Sequence, residues 1–340
     1  MRTILFGDIH GCFDELRELL DRLSPTADDI LVSVGDLVDR GPDPSAVIDF
    51  FRQRPGAVAV CGNHERKHIR GILSYSQLVA REQMGERYDE QVAWMATLPY
   101  HYETDEVRVV HWGLYPGVPL EEVPEDVRAG TTSGDGRLRE RFGDTPWYAH
   151  YTDAKPVVFG HAVVGSEPLI IDDRIFGIDT GACHGQRLTA LVLPERRIVS
   201  VPAREDHWAR MRRAWQGPVL RRTPWPTMTF EQIAKKARSL RDPELEDGVL
   251  TRVTTWAEAV RALVPQLAAA LDHETARLLE VAGEADFGRV AAAHPAASWL
   301  LRLRTGKLSR DHLACTTPAQ VFALADALAL SPEVDRAPLG

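Results

Sequence analysis

Ile30-Leu31-Val32-Ser33-Val34-Gly35-Asp36-Leu37-Val38-Asp39-Arg40-Gly41 is the stretch that decides the fold class of this chain. Residues 30–34 are almost wholly apolar, so both faces of the run expect burial, as in a strand covered on either side. Gly35 then lets the backbone turn sharply, and Asp36 follows into the space at the carboxyl end of the strand. The same grammar occurs twice more. Thr3-Ile4-Leu5-Phe6 runs into Gly7-Asp8-Ile9-His10-Gly11, and Ala57-Val58-Ala59-Val60-Cys61 runs into Gly62-Asn63-His64-Glu65. One Gly-Asp after a strand is usually only a turn. Three such exits can converge on one point, and two more strand ends carry histidines, His111 in Val109-Val110-His111-Trp112-Gly113 and His161 in Val158-Phe159-Gly160-His161.

Working outward, residues 3–6, 30–34, 57–61, 107–110, 157–159, 175–178, 188–193 and 198–201 read as strands. Between them Phe13, Leu16, Leu19, Leu20 and Leu23 recur at helical spacing, as do Val47, Ile48 and Phe51 after Pro42 and Pro44. This alternation is an α/β pattern. The texture changes near residue 202, where six arginines (Arg204, Arg210, Arg212, Arg213, Arg221, Arg222) stand among Trp208, Trp215 and Trp225. The reading is a catalytic domain over 1–202, a basic and aromatic connector over 203–228, and a helical unit over 229–340. The connector reads as long side chains laid over the domain surface, with nucleotide stacking as the alternative. In the helical unit, residues 256–271 and 274–281 form helical stretches, and Thr317-Pro318-Ala319-Gln320 reads as a capped helix start.

At 340 residues the chain exceeds the usual single core, and 44% hydrophobic with 26% charged residues is ordinary for a globular protein. A net charge of −9 argues against a surface that coats long nucleic acid. The first six residues are too short for a signal-peptide core, and nothing suggests a membrane span. Cys12, Cys61, Cys183 and Cys315 are widely spaced and read as buried packing residues, which with the rest gives a cytoplasmic expectation.

Carboxylate, imidazole and amide oxygen together suit Mn²⁺, Fe or Zn²⁺. The order Gly-Asp-x-His-Gly, Gly-Asp-x-Val-Asp-Arg-Gly, Gly-Asn-His-Glu, His-x-Gly, Gly-His resembles that of the PPP phosphatases, a branch of the calcineurin-like metallophosphoesterases, over residues 7 to about 185. That family includes protein Ser/Thr phosphatases, symmetrical diadenosine tetraphosphate hydrolases and the phosphatase module of bacterial polynucleotide kinase-phosphatase. The resemblance implies a four-layer sandwich of two mixed sheets flanked by helices, followed here by an all-helical unit. It implies two divalent metal ions, Mn²⁺ foremost with Fe, Zn, Ni or Co as alternatives. Asp8 and His10 would hold the first, Asp36 would bridge, and Asn63, His111 and His161 would hold the second. A bridging hydroxide would attack phosphorus in line. His64 would protonate the leaving group, Asp39 would orient His64, and Arg40 would clamp phosphate oxygens. A second phosphate-binding arginine is expected among Arg128, Arg137, Arg139 and Arg141. Trp112, where many relatives have glycine, and Ala162, where threonine is common, depart from the pattern and put substrate fit in question. The leading expectation is a phosphomonoesterase of the protein Ser/Thr phosphatase type. The alternative is a phosphatase of nucleotides or nucleic-acid ends or a dinucleoside polyphosphate hydrolase, and a non-catalytic scaffold is the remote third. The expected partner is a phosphorylated substrate: phosphoprotein, nucleotide or nucleic-acid end.

Overall fold

Side-chain alternation along the strands builds two sheets into a sandwich. The computed structural model describes residues 1–240, 248–309, 311 and 313–339, and the chain divides into two compact units, Met1–Gln216 and Gly217–Gly340. Among the described residues the strands, all in the first unit, are β1 (Thr3–Phe6), β2 (Ile30–Ser33), β3 (Ala57–Ala59), β4 (His101–Glu103), β5 (Arg108–Val110), β6 (Val157–Phe159), β7 (Leu169–Ile171), β8 (Ile175–Gly177), β9 (Arg187–Leu193) and β10 (Arg197–Pro202). One sheet has the order β10-β9-β1-β2-β3 and the other β4-β5-β6-β8-β7. Within them β1, β2 and β3 run parallel, as do β5, β6 and β8.

The helices of this unit are α1 (Phe13–Leu23), α2 (Pro44–Gln53), α3 (Asn63–Ile69), α4 (Tyr75–Met84), α5 (Tyr88–Met95), α6 (Glu125–Arg128), α7 (Thr132–Phe142) and α8 (His207–Ala214). Ile4 and Phe6 of β1 pack outward with Leu16 and Leu19 of α1, while Leu5 between them packs inward. Leu5 meets Val32 of its own sheet and Val109, Val158 and Phe176 of the other, forming the core between sheets. Val157 and Phe159 of β6 turn the opposite way, into a third core with Val127, Leu138 and Trp147. Period-two alternation therefore explains why these strands are apolar throughout: each residue has a core on its side. The expected four layers are present.

Two strands escaped the sequence reading. β4 and β7 are three residues long and occupy the two edges of the second sheet, where one side of the ladder has no partner and the apolar signal is thin. Polar His101 and Glu103 sit in one, and Ile170 of the other is 43% exposed.

The boundary between the units falls inside the stretch read as a connector, which holds α8 and then α9 (Gln216–Arg222). Arg204 pairs with Asp14 at 2.5 Å, Arg210 pairs with Glu205 at 2.6 Å, and Trp225 is buried with Nε1–H donating to the Leu220 carbonyl at 2.8 Å. The second unit contains α10 (Phe230–Leu240), α11 (Gly248–Arg261), α12 (Val264–Ala292), α13 (Ala297–Arg304) and α14 (Pro318–Ala327), with residues 241–247 outside the description. The helical stretch read over 256–271 is shared between α11 and α12, with Pro265, which lacks an N–H, in the first turn of α12. α14 starts as read: Thr317 accepts from Gln320 N–H at 3.3 Å, and Gln320 Oε1 accepts from Thr317 N–H at 3.1 Å. No helix among the described residues is long and apolar enough to cross a membrane.

Candidate active site

Parallel strands end together, and the loops that leave β1, β2, β3, β5, β6 and β8 do so at one edge of the sandwich. Asp8 and His10 follow β1; Asp36, Asp39 and Arg40 follow β2; Asn63 and His64 open α3 after β3; His111 and His161 follow β5 and β6. All nine residues expected from the sequence come to this edge. Five of them, His10 (φ 47°), Asp36 (51°), Asp39 (71°), Arg40 (63°) and His161 (68°), hold left-handed backbone conformations, each at about 1–3 kcal/mol of strain. Strain concentrated in this way marks a place where the surrounding fold dictates geometry.

Asp36 lies at the centre. His10 Nε2 is 3.6 Å from its Oδ2, His111 Nε2 is 3.3 Å from its Oδ1, and Oδ1 also accepts from the backbone N–H of His64 at 3.1 Å. Mutually close donor sets form on both sides of it, His10 with Asp36 and His64, and Asp8 with Asp36 and His111. Asp8 thus stands with His111 by proximity, although the family pattern pairs it with His10. Asn63 Oδ1 is 3.0 Å from His111 Nε2 and 2.9 Å from His161 Nδ1, so amide and both imidazoles meet. Asp8 receives the backbone N–H of His161 at 3.1 Å, which ties the first sheet's loop to the second's.

The imidazoles are set by backbone carbonyls. His10 Nδ1 faces the Val38 carbonyl at 2.8 Å and His111 Nδ1 faces the Val34 carbonyl at 3.1 Å. A carbonyl only accepts, so each Nδ1 carries hydrogen and each Nε2 turns to Asp36. Both Nε2 atoms and the Asp36 oxygens then face one small space, an arrangement suited to a shared cation once Nε2 gives up any proton it carries. Charge argues the same way. Burial, the charge of Asp179 and that of Asp36 hold the Asp8 carboxyl well above its usual range, and burial with Asp36 nearby lifts Asp179 to about 6. Burial works against charge on His111, yet Asp36, Asp8 and Glu65 raise it to about 10; on His161 burial and His111 win and lower it to about 3. Burial and Arg40 likewise depress His10, whereas His111 and His64 overcome burial and keep Asp36 well below the ordinary carboxylate range. Crowded carboxylates with imidazoles turned toward them fit divalent cations of borderline hardness.

Beside this cluster His64 Nδ1 is 2.5 Å from Asp39 Oδ2, and its Nε2 is 3.9 Å from Asp36 Oδ2. Asp39 is fully buried; His68 Nε2 holds its Oδ1 at 2.8 Å, and Gln77 Nε2 donates to the same Oδ2 that His64 faces. Arg40 Nη1 is 3.0 Å from His10 Nε2.

Three contributors were not read from sequence. Glu65, fully buried, accepts four backbone N–H groups: Asp36 at 3.0 Å and Gly62 at 2.9 Å on Oε2, Leu37 at 2.8 Å and Val38 at 3.3 Å on Oε1. It locks the β2 and β3 loops together, and its place inside Gly-Asn-His-Glu was the available signal. His68 could have been found from its spacing of four from His64, which puts both on one helix face. Gln77 offered none. Close approach also restricts the loops. At Gly160 a Cβ would run into the Asp8 carboxylate and reach 2.7 Å from Val34 Cγ2.

Of the four arginines considered for a second phosphate contact, Arg128 Nη1 reaches His101 at 2.5 Å, Arg137 pairs with Asp126 at 3.0 Å, and Arg141 lies 4.5 Å from the Tyr115 ring centre. Arg139 is exposed. The departure at Trp112 has a visible use: its ring stands 5.0 Å from that of His161, and its Nε1–H donates to Asp135 at 2.9 Å.

A sandwich whose parallel strands deliver Asp, His and Asn to a single edge defines a class, and residues 1–165 match the family model described as calcineurin-like phosphoesterase. The chain belongs to that family, as the motif order implied. A bis(5'-nucleosyl)-tetraphosphatase PrpE, asymmetrical, of Halalkalibacterium halodurans is 35% identical over 243 residues, covering 60% of this chain and 95% of the relative. The Bacillus subtilis protein of the same name is 32% identical over 58% of this chain and 93% of its own. A symmetrical bis(5'-nucleosyl)-tetraphosphatase of Aromatoleum aromaticum is 27% identical over 60% and 97%.

Proposed function

We propose that this protein is a metal-dependent phosphohydrolase whose substrates are nucleotides linked through phosphoanhydrides, dinucleoside polyphosphates foremost. The observation that carries the hydrolase reading is the unbroken chain of contacts from Asn63 Oδ1 to His111 Nε2 at 3.0 Å, on to Asp36 Oδ1 at 3.3 Å, and from Asp36 Oδ2 to His10 Nε2 at 3.6 Å. The relatives' names favour the nucleotide over the phosphoprotein that the motifs alone put first. Asp8, His10, Asp36, Asn63, His111 and His161 would hold two divalent cations, Mn²⁺ being the first choice. Such ions supply Lewis acidity toward phosphoryl oxygens and lower the pKa of water, so a nucleophile exists at neutral pH.

The chain's own groups do the rest. Arg40 binds and orients the phosphoryl group beside His10, its planar fork matching two oxygens. His64 presents Nε2 to the reacting phosphate while Nδ1–H stays on Asp39, so a proton on Nε2 passes to the departing oxygen. Asp39 is a positioning residue, braced by His68 and Gln77 against rotation.

The test is a product analysis with Mn²⁺. Full-length protein is incubated with diadenosine tetraphosphate, a phosphoserine peptide and p-nitrophenyl phosphate, and products are separated by chromatography. Rapid release of nucleotides is expected, with ADP alone or AMP plus ATP showing where the chain is cut. A kcat/KM for the phosphopeptide above that for the dinucleotide would reverse the substrate order.

A further inference from the structure

A cavity of about 390 Å³ opens directly from the cluster, since Asn63 and His161 line it. Its wall continues along α3 through Lys67 to Arg70, the residue that caps the helix, four and seven residues after Asn63 and hence on the same side. At the rise of an α-helix they lie about 6 and 10 Å further along the axis than Asn63. Neither side chain has an ion-pair or hydrogen-bond partner among the described residues, whereas neighbouring Arg66 is committed to Glu125 at 3.0 Å and to Tyr100 at 2.6 Å. Two positive charges are therefore left unneutralised side by side in a chain of net charge −9.

The opposite wall is the first turn of α7, with Thr132 and Ser133. Thr131 caps Gly134 N–H at 3.2 Å, while the N–H groups of Thr132 and Ser133 have no acceptor among the described residues. Free N–H groups at the positive end of a helix of eleven residues attract anions. Asp135 also lines the cavity, but its Oδ1 is engaged by Trp112. Ile72, 61% exposed, adds an apolar surface on which a base can lie.

From this we propose that the cavity is a subsite for the phosphates beyond the reacting one, with Lys67 and Arg70 as its specificity residues, so that the enzyme prefers a polyphosphate chain to a lone phosphomonoester. The inference rests on the hydrolase reading above and adds where the rest of the substrate goes. A monoester reaches the cations and Arg40 only. A polyphosphate extends from there between α3 and the start of α7, meeting one positive charge after another.

The experiment compares the wild type with Lys67→Ala/Arg70→Ala and with the charge-conserving Lys67→Arg/Arg70→Lys. With Mn²⁺, kcat/KM for diadenosine tetraphosphate should fall roughly 30-fold in the alanine variant, mostly through KM, as expected when two solvent-screened ion pairs are lost. The value for p-nitrophenyl phosphate should fall less than about threefold, and the charge-conserving variant should recover most of the loss. Calorimetry with inorganic tripolyphosphate and orthophosphate should show the longer anion bound more tightly by the wild type and not by the alanine variant. Equal losses on both substrates, no loss on either, or equal binding of the two anions by the wild type overturns the subsite. Turnover of p-nitrophenyl phosphate with no preference for polyphosphate leaves the hydrolase reading standing without it. Turnover of neither substrate removes the hydrolase reading, and the calorimetry still decides the cavity.

Discussion

Replacing Glu65 by Gln removes one atom's worth of charge from a site where geometry leaves no room for exchange. Its two carboxylate oxygens each accept two backbone N–H groups, from the β2 loop and from Gly62. However the new amide is turned, its NH₂ faces two N–H donors, so two hydrogen bonds to an anionic acceptor disappear. At about 1.5–3 kcal/mol each, the loss is about 3–6 kcal/mol. The carboxylate is itself held at a cost, since burial and the charge of Asp36 both push its pKa up. That offset puts the expectation at the low end, about 3 kcal/mol. For a unit ending at Gln216 this lowers Tm on the order of 10 °C. Urea unfolding followed by tryptophan fluorescence at pH 7, with chelator present to exclude metal linkage, measures it. A loss below about 1 kcal/mol would show that the four N–H groups find other acceptors, and the account of Glu65 as the lock between loops would be wrong.

Asp39→Asn should lower kcat by roughly 10²-fold with KM little changed, and more for a poor leaving group than for p-nitrophenolate; a uniform fall across leaving groups refutes its action through His64. Gly160→Ala, whose methyl would press on Asp8 and Val34, should weaken Mn²⁺ binding at least about tenfold in calorimetry while the urea transition persists; unchanged affinity refutes the close approach. A fourth prediction concerns pH. The Arg2 side chain bonds Asp29 and, against burial, draws its carboxyl well below the usual range. A depressed folded pKa gives stability that is present above the unfolded value of about 3.9 and lost as pH falls below it. The gap in urea midpoint between wild type and Asp29→Asn should therefore be full at pH 7 and 5 and shrink toward pH 2. A gap independent of pH refutes the linkage.

Much of this was legible because it is local. Gly7-Asp8, Gly35-Asp36 and Gly62-Asn63 each encode a strand exit and a ligand type within a few residues, and apolar runs with a core on either side announce buried strands. Thr317 and Gln320 fix a helix start by bonds that span three residues. Pro265 is local in the same way: a residue that cannot donate sits in the first turn of α12, inside an apolar pattern that runs on through 256–271.

By itself, then, the amino-acid order determined the strand-to-loop exits, the oxygen and nitrogen donors they carry, and the family those donors define. Only the folded chain decided that Asp8 stands by His111, that Glu65 holds two loops, that Gln77 and His68 brace Asp39, and that Lys67 and Arg70 line a cavity facing the start of α7. The physical reason is range. Backbone angles and burial periodicity are set by near neighbours, whereas a contact between Gln77 and Asp39, 38 residues apart, exists only once packing has fixed both ends.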